Sequence, residues 1–343
     1  MGCTCENNKT EDDLEIKKQT KEIIPYKLGQ EFLNKLIILQ GYIRGYLYRK
    51  QFNCNEKLFL ENQTNQNSYL NNNFETDDNK YILIDENQIT ESDINYLFNN
   101  YPPLKESEEI IVKPITQIEN GALYYGEWDS KGNKYGRGIQ LWPDGSKYYG
   151  YWINNKANKK GKLIHRDGDI YEGEWLDDKA EGYGIYSHID GAKYEGYWKN
   201  DKQEGKGREI WPDGNSYEGE YVGGNKQGKG KFTWSDGSVY EGDFMNNNIE
   251  GKGVYKWADN RIYNGEWKNN QMDGYGEFTW PDGRSYTGCY KNDKKEGYGI
   301  FKWPNGQEYR GNWINGRQHG EGEIYNPQTK EYKKYYWENG KKK

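Results

Sequence analysis

The sequence is poor in the residues that build metal sites, disulfide frameworks and aliphatic cores. Its 343 residues include only four cysteines, three histidines and three methionines, and 33% of the chain is hydrophobic. Apart from Cys3 and Cys5, the cysteines lie too far apart for a disulfide framework, which favours a reducing, cytoplasmic compartment. No apolar run approaches the roughly 18 residues of a transmembrane helix. The histidines and cysteines have no zinc-type spacing, so no metal or cofactor is expected.

Charge of one sign is also lacking. The chain has 48 basic and 54 acidic residues, a net charge of -6, which is typical of a solvated surface and disfavours nucleic-acid binding. What is abundant is tyrosine, tryptophan and glycine, with 33, 13 and 43 copies. Large rings bury much area while their O–H or N–H groups still meet water. This composition predicts a thin sheet with an aromatic face.

A repeated motif, Tyr-x-Gly-x-aromatic, sets the organisation of the C-terminal two-thirds. After a first interval of 24 residues, every later step is 23 residues, and a degenerate tenth copy begins at Tyr332. A Gly-x-Gly pair follows within most copies, as at Gly182 and Gly184. The motif begins at Tyr124, Tyr148, Tyr171, Tyr194, Tyr217, Tyr240, Tyr263, Tyr286 and Tyr309.

Period-two alternation predicts that each copy is a β-hairpin. In residues 171–175 (YEGEW) the tyrosine, glycine and tryptophan share one face and the glutamates share the other. The glycines leave room for a ring from the neighbouring strand. Asp-Gly pairs supply the positive φ of one hairpin turn, and Asn260 replaces the glycine in one copy. The other connection, from Leu176 to Glu181, is expected to be a longer polar loop.

Two copies depart from the pattern. Lys159 stands where the first glycine of the Gly-x-Gly pair is expected, and Ser187 and His188 replace an aromatic. We expect looser strand pairing at both places.

Stacked hairpins predict a mainly β fold, an elongated single-layer antiparallel array preceded by an α-helical and disordered N-terminal region. Each hairpin buries its rings only against its neighbours. With about 4.8 Å per strand, nine repeats would form a rod of roughly 90 Å without a catalytic pocket. The recurring glutamates are expected to be solvated and Cys289 to be a thiol on the polar face, so no enzymatic activity is expected.

The repeat resembles the MORN (membrane occupation and recognition nexus) repeat from residue 121 to about residue 337. The resemblance implies a docking function, because MORN repeats of plant phosphatidylinositol phosphate kinases, junctophilins, radial-spoke head proteins and parasite scaffolds supply membrane or protein docking. The positions that define the repeat are Tyr171, Gly173, Trp175, Gly182, Gly184, Tyr194, Gly196, Trp198, Tyr217, Gly219, Tyr240, Gly242, Tyr263, Gly265, Tyr286, Gly288, Tyr309 and Gly311.

Residues 26–52 are predicted to form a helix that contains a motif similar to an IQ motif. The resemblance implies binding of calmodulin or a related EF-hand light chain through an apolar stripe and basic side chains. The alternative is a helix that packs on the end of the sheet and leaves its basic residues in solvent. The matching positions are Leu39, Gln40, Arg44, Gly45 and Arg49.

The N-terminus resembles a dual acylation signal. Gly2 would accept myristate, and Cys3 and Cys5 would accept palmitate, although Glu6 stands where serine or threonine is preferred. Two acyl chains hold a membrane stably, whereas one is marginal. The alternative is an unmodified terminus. The lysines of the C-terminus either add attraction to acidic phospholipid or only solubilise the chain end.

Four segments are predicted: a flexible N-terminus over residues 1–25, the IQ-like helix over 26–52, an asparagine-rich linker over 53–103, and the repeat domain over 104–343. Within the linker, Thr90 and Asp93 resemble a capping box that opens a short helix to about Asn99, before Pro102.

The expected function is a peripheral scaffold on the cytoplasmic membrane face, docking proteins or acidic lipid and taking a calmodulin-type subunit. The alternative is a structural protein of the cytoskeleton or cilium whose repeats bind protein and not lipid. Both ends of the sheet expose strand edges, which allow a homodimer, end to end or antiparallel.

Overall fold

The computed structural model describes residues 86–104, 109–118 and 121–343. Within these ranges a 3-10 turn at Glu86–Gln88 and one α-helix, α1 (Glu91–Asn100), precede twenty-one strands. Every strand pairs antiparallel with the next strand in the chain, so the strands form one open sheet in sequence order. The strands are β1 Ile111–Gln117, β2 Leu123–Trp128, β3 Lys134–Leu141, β4 Lys147–Ile153, β5 Lys156–Ile164, β6 Ile170–Leu176, β7 Lys179–Ser187, β8 Lys193–Lys199, β9 Lys202–Ile210, β10 Ser216–Val222, β11 Asn225–Thr233, β12 Val239–Met245, β13 Asn248–Lys256, β14 Ile262–Lys268, β15 Gln271–Thr279, β16 Ser285–Lys291, β17 Lys294–Lys302, β18 Glu308–Ile314, β19 Arg317–Asn326, β20 Glu331–Glu338 and β21 Lys341–Lys342. The predicted mainly β hairpin array is confirmed.

One of the two alternating turns is tighter than the sequence suggested. Asp177 and Asp178, with φ of 49° and 67°, form a two-residue turn between β6 and β7, so the longer loop expected from Leu176 to Glu181 is wrong. Aspartate and asparagine tolerate the left-handed conformation that such a turn requires at both positions. The turn also holds the preceding repeat, because Ala157 N–H donates to Asp178 Oδ1 at 2.8 Å while Asp178 N–H donates to the Ala157 carbonyl at 3.0 Å.

The other turn carries the Asp-Gly pair and is longer than two residues. Gly283 has a φ of 90° and donates its N–H to the carbonyl of Trp280 at 3.0 Å, while Trp280 N–H donates to the Arg284 carbonyl at 3.0 Å. This is a type I turn closed by a left-handed residue, the usual three-residue hairpin loop. Asn260 takes the same left-handed place with a φ of 68°, as expected.

The two departing copies keep the regular strand pairing. Lys159 adopts a left-handed φ of 59° and pairs with Trp175, in the same register as the glycines of other copies. Ser187 pairs with Lys193, and the ring of His188 lies 4.7 Å from that of Tyr186. The expectation of looser pairing is therefore wrong, because the neighbouring hairpins impose the register on both copies.

Helix α1 begins and ends where the sequence indicated. Thr90 is its N-cap and accepts a hydrogen bond from Asp93 N–H at 3.2 Å, while the Asp93 carboxylate accepts from Thr90 N–H at 2.8 Å. This reciprocal pair is the predicted capping box. The helix ends at Asn100, one residue beyond the expected position. Its Leu97 is fully buried in a core that includes Ile139 and Tyr149 of the sheet.

Candidate docking surfaces

The sheet has two chemically different faces. The ring face carries the motif tyrosine, glycine and aromatic residue, and the polar face carries the residues between them. In β6, for example, Tyr171 and Trp175 are buried while Glu172 and Glu174 are exposed. The alternation predicted from the sequence is confirmed.

On the ring face, each motif tyrosine lies flat over glycine. A Cβ added to Gly276 would come within 2.5 Å of the ring of Tyr263, and one on Gly265 would be as close. The hydroxyl of Tyr263 donates to the carbonyl of Glu266 at 3.0 Å. Burial raises the pKa of these hydroxyls, that of Tyr309 to about 12, so they remain protonated donors at neutral pH. Each hydroxyl donates to a backbone carbonyl of its own repeat, as Tyr124 and Tyr309 also show.

The fifth residue of each motif connects successive repeats. The ring of Trp267 lies 5.1 Å from that of Tyr263 in its own repeat and 5.5 Å from that of Tyr240 in the preceding one, both edge to face. Its indole N–H donates to the carbonyl of Gly253 at 3.2 Å. We call this continuous series of edge-to-face rings the inner ladder. Edge-to-face pairs stabilise beyond their buried area, so each repeat holds its neighbour.

The repeat-defining residues predicted from the sequence occupy the ring face with one exception. Gly182 has a φ of 72°, and a Cβ placed on it would meet the side chain of Glu174 on the polar face. Glu266 shows what such a carboxylate does, since it accepts the backbone N–H of Tyr275 at 3.0 Å. The second glutamate of the motif therefore caps a β-bulge and is more than a solvated charge.

A second series of rings, which we call the outer row, runs along the ring face beside the three-residue turns. Successive ring centroids lie 4.4 to 5.8 Å apart. Its tryptophans are half-buried, so the row is a partly exposed apolar surface. Among the described residues no acceptor takes the indole N–H of four of them, Trp234, Trp257, Trp280 and Trp303. The outer row consists of Trp211, Phe232, Trp234, Tyr255, Trp257, Phe278, Trp280, Phe301 and Trp303.

The equivalent positions in the earlier repeats mix apolar and polar side chains, which interrupts the series of rings; they are Gln140, Trp142, Leu163, His165, Tyr186, His188 and Glu209. His188 Nδ1 lies 3.0 Å from Asp169, whose carboxylate also accepts the hydroxyl of Tyr186 at 2.7 Å. Glu209 is buried and pairs with Lys226 at 2.8 Å. These groups satisfy one another within the chain, so the outer row begins only after residue 210.

On the polar face, α1 covers the first repeats. Lys147 pairs with Asp93 at 3.0 Å, the hydroxyl of Tyr149 donates to the same carboxylate, and the hydroxyl of Tyr151 donates to the carbonyl of Pro102 at 2.6 Å. Burial works to raise the pKa of Asp93, but the hydrogen bonds from Tyr149, Thr90 and Lys147 outweigh it and hold that pKa below its ordinary value. The helix is thus fixed by charge as well as by packing.

Beyond α1 the polar face is open. Tyr275 and Tyr298 are 59% and 58% exposed. Cys289 is a free, exposed thiol on the same face, as predicted. These side chains are scattered among charged residues and form no continuous apolar surface.

The remaining predicted sites lie outside the described residues. These are the acylation positions Gly2, Cys3 and Cys5 and the IQ-like positions Leu39, Gln40, Arg44, Gly45 and Arg49. In the part of the chain that the structure describes, no group of three or more metal-ligating side chains comes together. No helix in that part is both long enough and apolar enough to cross a bilayer.

Sequence reasoning identified the motif faces but missed the outer row and the covering role of α1. The signal for the row was present. The second and fourth residues after the last glycine of each Gly-x-Gly pair are both aromatic in four consecutive repeats, as at Phe278 and Trp280. When the repeats are aligned with one another, these two aromatic positions distinguish the later repeats from the earlier ones.

Comparison with solved structures finds sheets of low similarity. The G-box domain of the microcephaly protein CPAP is 11% identical with a TM-score of 0.33, and the match covers 59% of this chain and 100% of that one. The TCP10 domain of Danio rerio CPAP is 11% identical with a TM-score of 0.34, covering 58% and 94%. A streptogramin B lyase is 11% identical with a TM-score of 0.14, covering 70% and 87%. At these values the similarities say nothing about what this chain binds.

A search among curated proteins found no match. The family model for the MORN repeat, in contrast, matches nine successive segments that together span more than half of the chain. The segments are residues 124–147, 148–170, 171–193, 194–216, 217–239, 240–260, 263–283, 286–308 and 309–327. They begin at the tyrosines that open the motif and carry the inner ladder. This chain belongs to the MORN-repeat family, a non-catalytic repeat family that serves as a protein-binding or membrane-binding scaffold.

Proposed function

We propose that this chain is a non-enzymatic scaffold that docks a protein partner on the outer row of its ring face. The observation that carries the proposal is the contrast between the two apolar surfaces of the sheet. The polar-face surface of the first repeats is covered by α1, whereas the outer row is left half-exposed. A contiguous, partly exposed apolar surface on a folded domain marks an interaction site.

The surroundings of the outer row favour a protein over an anionic membrane. Asp213 and Asp236 stand exposed in the turns beside its first rings, and Arg261 and Arg284 in the later turns are each paired with an aspartate. Carboxylates repel the negative surface of acidic phospholipid, which attracts clusters of lysine and arginine. The tryptophans are also half-buried, whereas membrane insertion needs apolar side chains that protrude.

The test is proximity labelling in cells with the full-length chain. Trp257→Ala combined with Trp280→Ala removes two rings of the row, and the matched control is Tyr275→Ala combined with Tyr298→Ala on the polar face. The proposal expects a set of neighbours that is lost in the first variant and kept in the control. The same neighbours in all three proteins would contradict it.

We also propose that the N-terminus tethers this scaffold to the cytoplasmic face of a membrane through acyl groups on Gly2, Cys3 and Cys5. The sequence Met1–Cys5 motivates this proposal. Labelling with a myristate analogue and fractionation of Gly2→Ala and of Cys3→Ser with Cys5→Ser provide the test. Unchanged membrane association in both variants would remove the tether from the proposal.

The IQ-like positions 39–49 motivate a further proposal, that the chain recruits calmodulin or a related EF-hand light chain. Replacing Leu39, Gln40 and Arg44 by alanine is expected to abolish capture of calmodulin, with Lys27→Ala as a control outside the motif. Full capture by the triple variant would show that the motif does not act in this way.

The second candidate function is a structural protein of the cytoskeleton or cilium. The exposed aspartates beside the first rings of the outer row, Asp213 and Asp236, favour it, because they suit repeats that bind protein and not lipid. Retention on the cytoskeleton after detergent extraction, together with failure of the full-length chain to bind vesicles of acidic phospholipid, would support this function. Release by detergent would favour the membrane scaffold.

The division into residues 1–25, 26–52, 53–103 and 104–343 and a homodimer through the sheet edges are also part of the proposal. Limited proteolysis followed by mass spectrometry tests the boundaries. Light scattering of the purified full-length chain tests the oligomeric state.

A further inference from the structure

We infer that the outer row binds a proline-rich segment in the polyproline II conformation, with basic residues at one end. The inference rests on the proposed docking function and identifies the class of partner. Three independent features of the row support it: its period, its hydrogen-bonding groups and its charge.

The period of the outer row matches that of polyproline II. Each repeat adds two strands, so equivalent rings such as Trp257 and Trp280 recur every 9.6 Å or so at about 4.8 Å per strand. A polyproline II helix has three residues per turn at about 3.1 Å each, so it repeats about every 9.3 Å. One residue in three would therefore meet an equivalent site on each of four successive repeats.

Other peptide conformations do not fit this spacing. An α-helix has a pitch of about 5.4 Å, so its turns fall out of step with the rings within two repeats. A β-strand alternates its side chains every two residues, or about 6.7 Å, and presents opposite faces to successive rings. A three-residue repeat is the simplest that returns the same face each time.

The hydrogen-bonding groups of the row complement a proline-rich backbone. The row offers donors, the indole N–H groups of Trp234, Trp257, Trp280 and Trp303, none of which has an acceptor among the described residues. A polyproline II backbone leaves its carbonyls without internal partners, and proline has no N–H that would need an acceptor. Between the donors lie partly exposed aromatic rings such as Tyr255, tilted by 38° to 42° against the neighbouring tryptophans. Such ridges suit pyrrolidine rings, as in other aromatic-lined grooves for proline-rich ligands.

The charge along the row is uneven. The turns at its far end carry ion pairs, because Arg261 lies 2.7 Å from Asp259 and Arg284 lies 2.7 Å from Asp282. At its start, Asp213 and Asp236 are exposed and pair with no cation among the described residues. Lys226, whose Nζ lies 4.9 Å from the centroid of the Trp211 ring, is paired with the buried Glu209. The row therefore favours a ligand whose lysine or arginine side chains lie over its first two repeats, and this sets the direction of binding.

The inference is tested with the purified full-length chain and synthetic peptides. The probe is a fluorescein-labelled twelve-residue peptide with proline at two of every three positions and two lysines at one end, followed by fluorescence anisotropy. Trp257→Phe with Trp280→Phe removes two indole donors but keeps an apolar ring at each position. Loss of two hydrogen bonds is expected to weaken binding about tenfold. The matched control, Tyr275→Phe with Tyr298→Phe on the polar face, is expected to bind as the unaltered chain does.

Two further comparisons fix the ligand class. A peptide with the prolines replaced by alanine is expected to bind at least about tenfold more weakly, because it pays the cost of ordering its backbone. Asp213→Asn with Asp236→Asn is expected to weaken binding of the lysine peptide and to reduce its salt dependence. A glutamate version of the peptide is expected to bind more weakly than the lysine version.

The inference is overturned if the proline peptide does not bind, if the alanine peptide binds equally well, or if the tryptophan variants bind unchanged. Binding of phosphatidylserine vesicles through the same tryptophans would also overturn it. The proposed function fails by a different result, the persistence of all cellular neighbours in the outer-row variant. A partner that is lost in cells but is not proline-rich would leave the docking function standing and reject this inference.

Discussion

The repeats before and after residue 210 share one backbone but differ in where they carry extra apolar side chains. Before residue 210 these lie on the polar face, as with Ile139, Leu141 and Tyr149, and α1 covers them. After residue 210 the ring face carries the outer row, whose tryptophans stay half-exposed, and the polar face carries only scattered rings such as Tyr275. The inner ladder is buried in every repeat. Apolar side chains outside the inner ladder therefore indicate which surface is covered. In the repeats before residue 210 the chain itself covers that surface, and in our proposal a partner covers it in the later repeats.

Removing an inner-ladder ring is expected to have the largest effect on stability, because the repeats before and after residue 210 both depend on that ladder. Trp267→Ala is expected to lower the free energy of unfolding by about 4 kcal/mol, because it deletes contacts with two repeats and leaves a cavity. Chemical denaturation measures the change. Tyr275→Ala, which alters an exposed ring on the polar face, serves as the control and is expected to change the free energy by less than about 0.5 kcal/mol.

Loosening α1 should affect only the half of the sheet that it covers. Leu97 is fully buried, and Leu97→Ala is expected to cost about 3 kcal/mol locally. Hydrogen exchange should show faster exchange in β2–β4 and unchanged exchange in β14–β16. Uniform loss of protection along the sheet would mean that the two halves unfold as one unit. Met245→Ala, at an exposed position, is the control.

The cap of α1 offers a gentler version of the same experiment. Thr90→Ala removes the acceptor for Asp93 N–H and is expected to cost about 1 kcal/mol. The loss should again appear in α1 and β2–β4. Ser92 is an exposed residue in the first turn of α1, and Ser92→Ala should leave hydrogen exchange unchanged or slow it. An equal effect of both substitutions would contradict the capping role.

The smallest expected effect is a difference in acid sensitivity. Burial lowers the pKa of His165 below its usual value of 6.5 against the opposing effect of nearby carboxylates. Its Nε2 is buried with no hydrogen-bond partner among the described residues. Because the unfolded chain binds the proton more readily, this contribution is complete above pH of about 6.5 and declines as the pH falls from there towards the folded-state pKa. Protection factors from hydrogen exchange at pH 7.5 and 5.5 should be lower at the acid pH in β5–β7 but not in β13–β15. His165→Gln should abolish this decrease.

Much of the fold could be predicted from the sequence because the repeat is local. The alternation within a motif such as residues 171–175 predicts which face of the sheet each side chain occupies, and the 23-residue period predicts the order of the strands. The turns were harder. Asp177 and Asp178 looked like part of a polar loop, since nothing local indicated that both would adopt left-handed φ. Lys159 was misjudged for the same reason, because its conformation is imposed by the hairpins on either side.

By itself the sequence determined the hairpin, its repetition, the capping box of α1 and the family, since each depends on residues close together in the chain. The tertiary structure decided which apolar surfaces are covered. Whether Ile139 or Trp257 is buried depends on what lies across the sheet, and α1 reaches Lys147 over more than fifty intervening residues. That difference arises because hydrogen-bonded geometry is local, whereas burial is a property of the assembled surface.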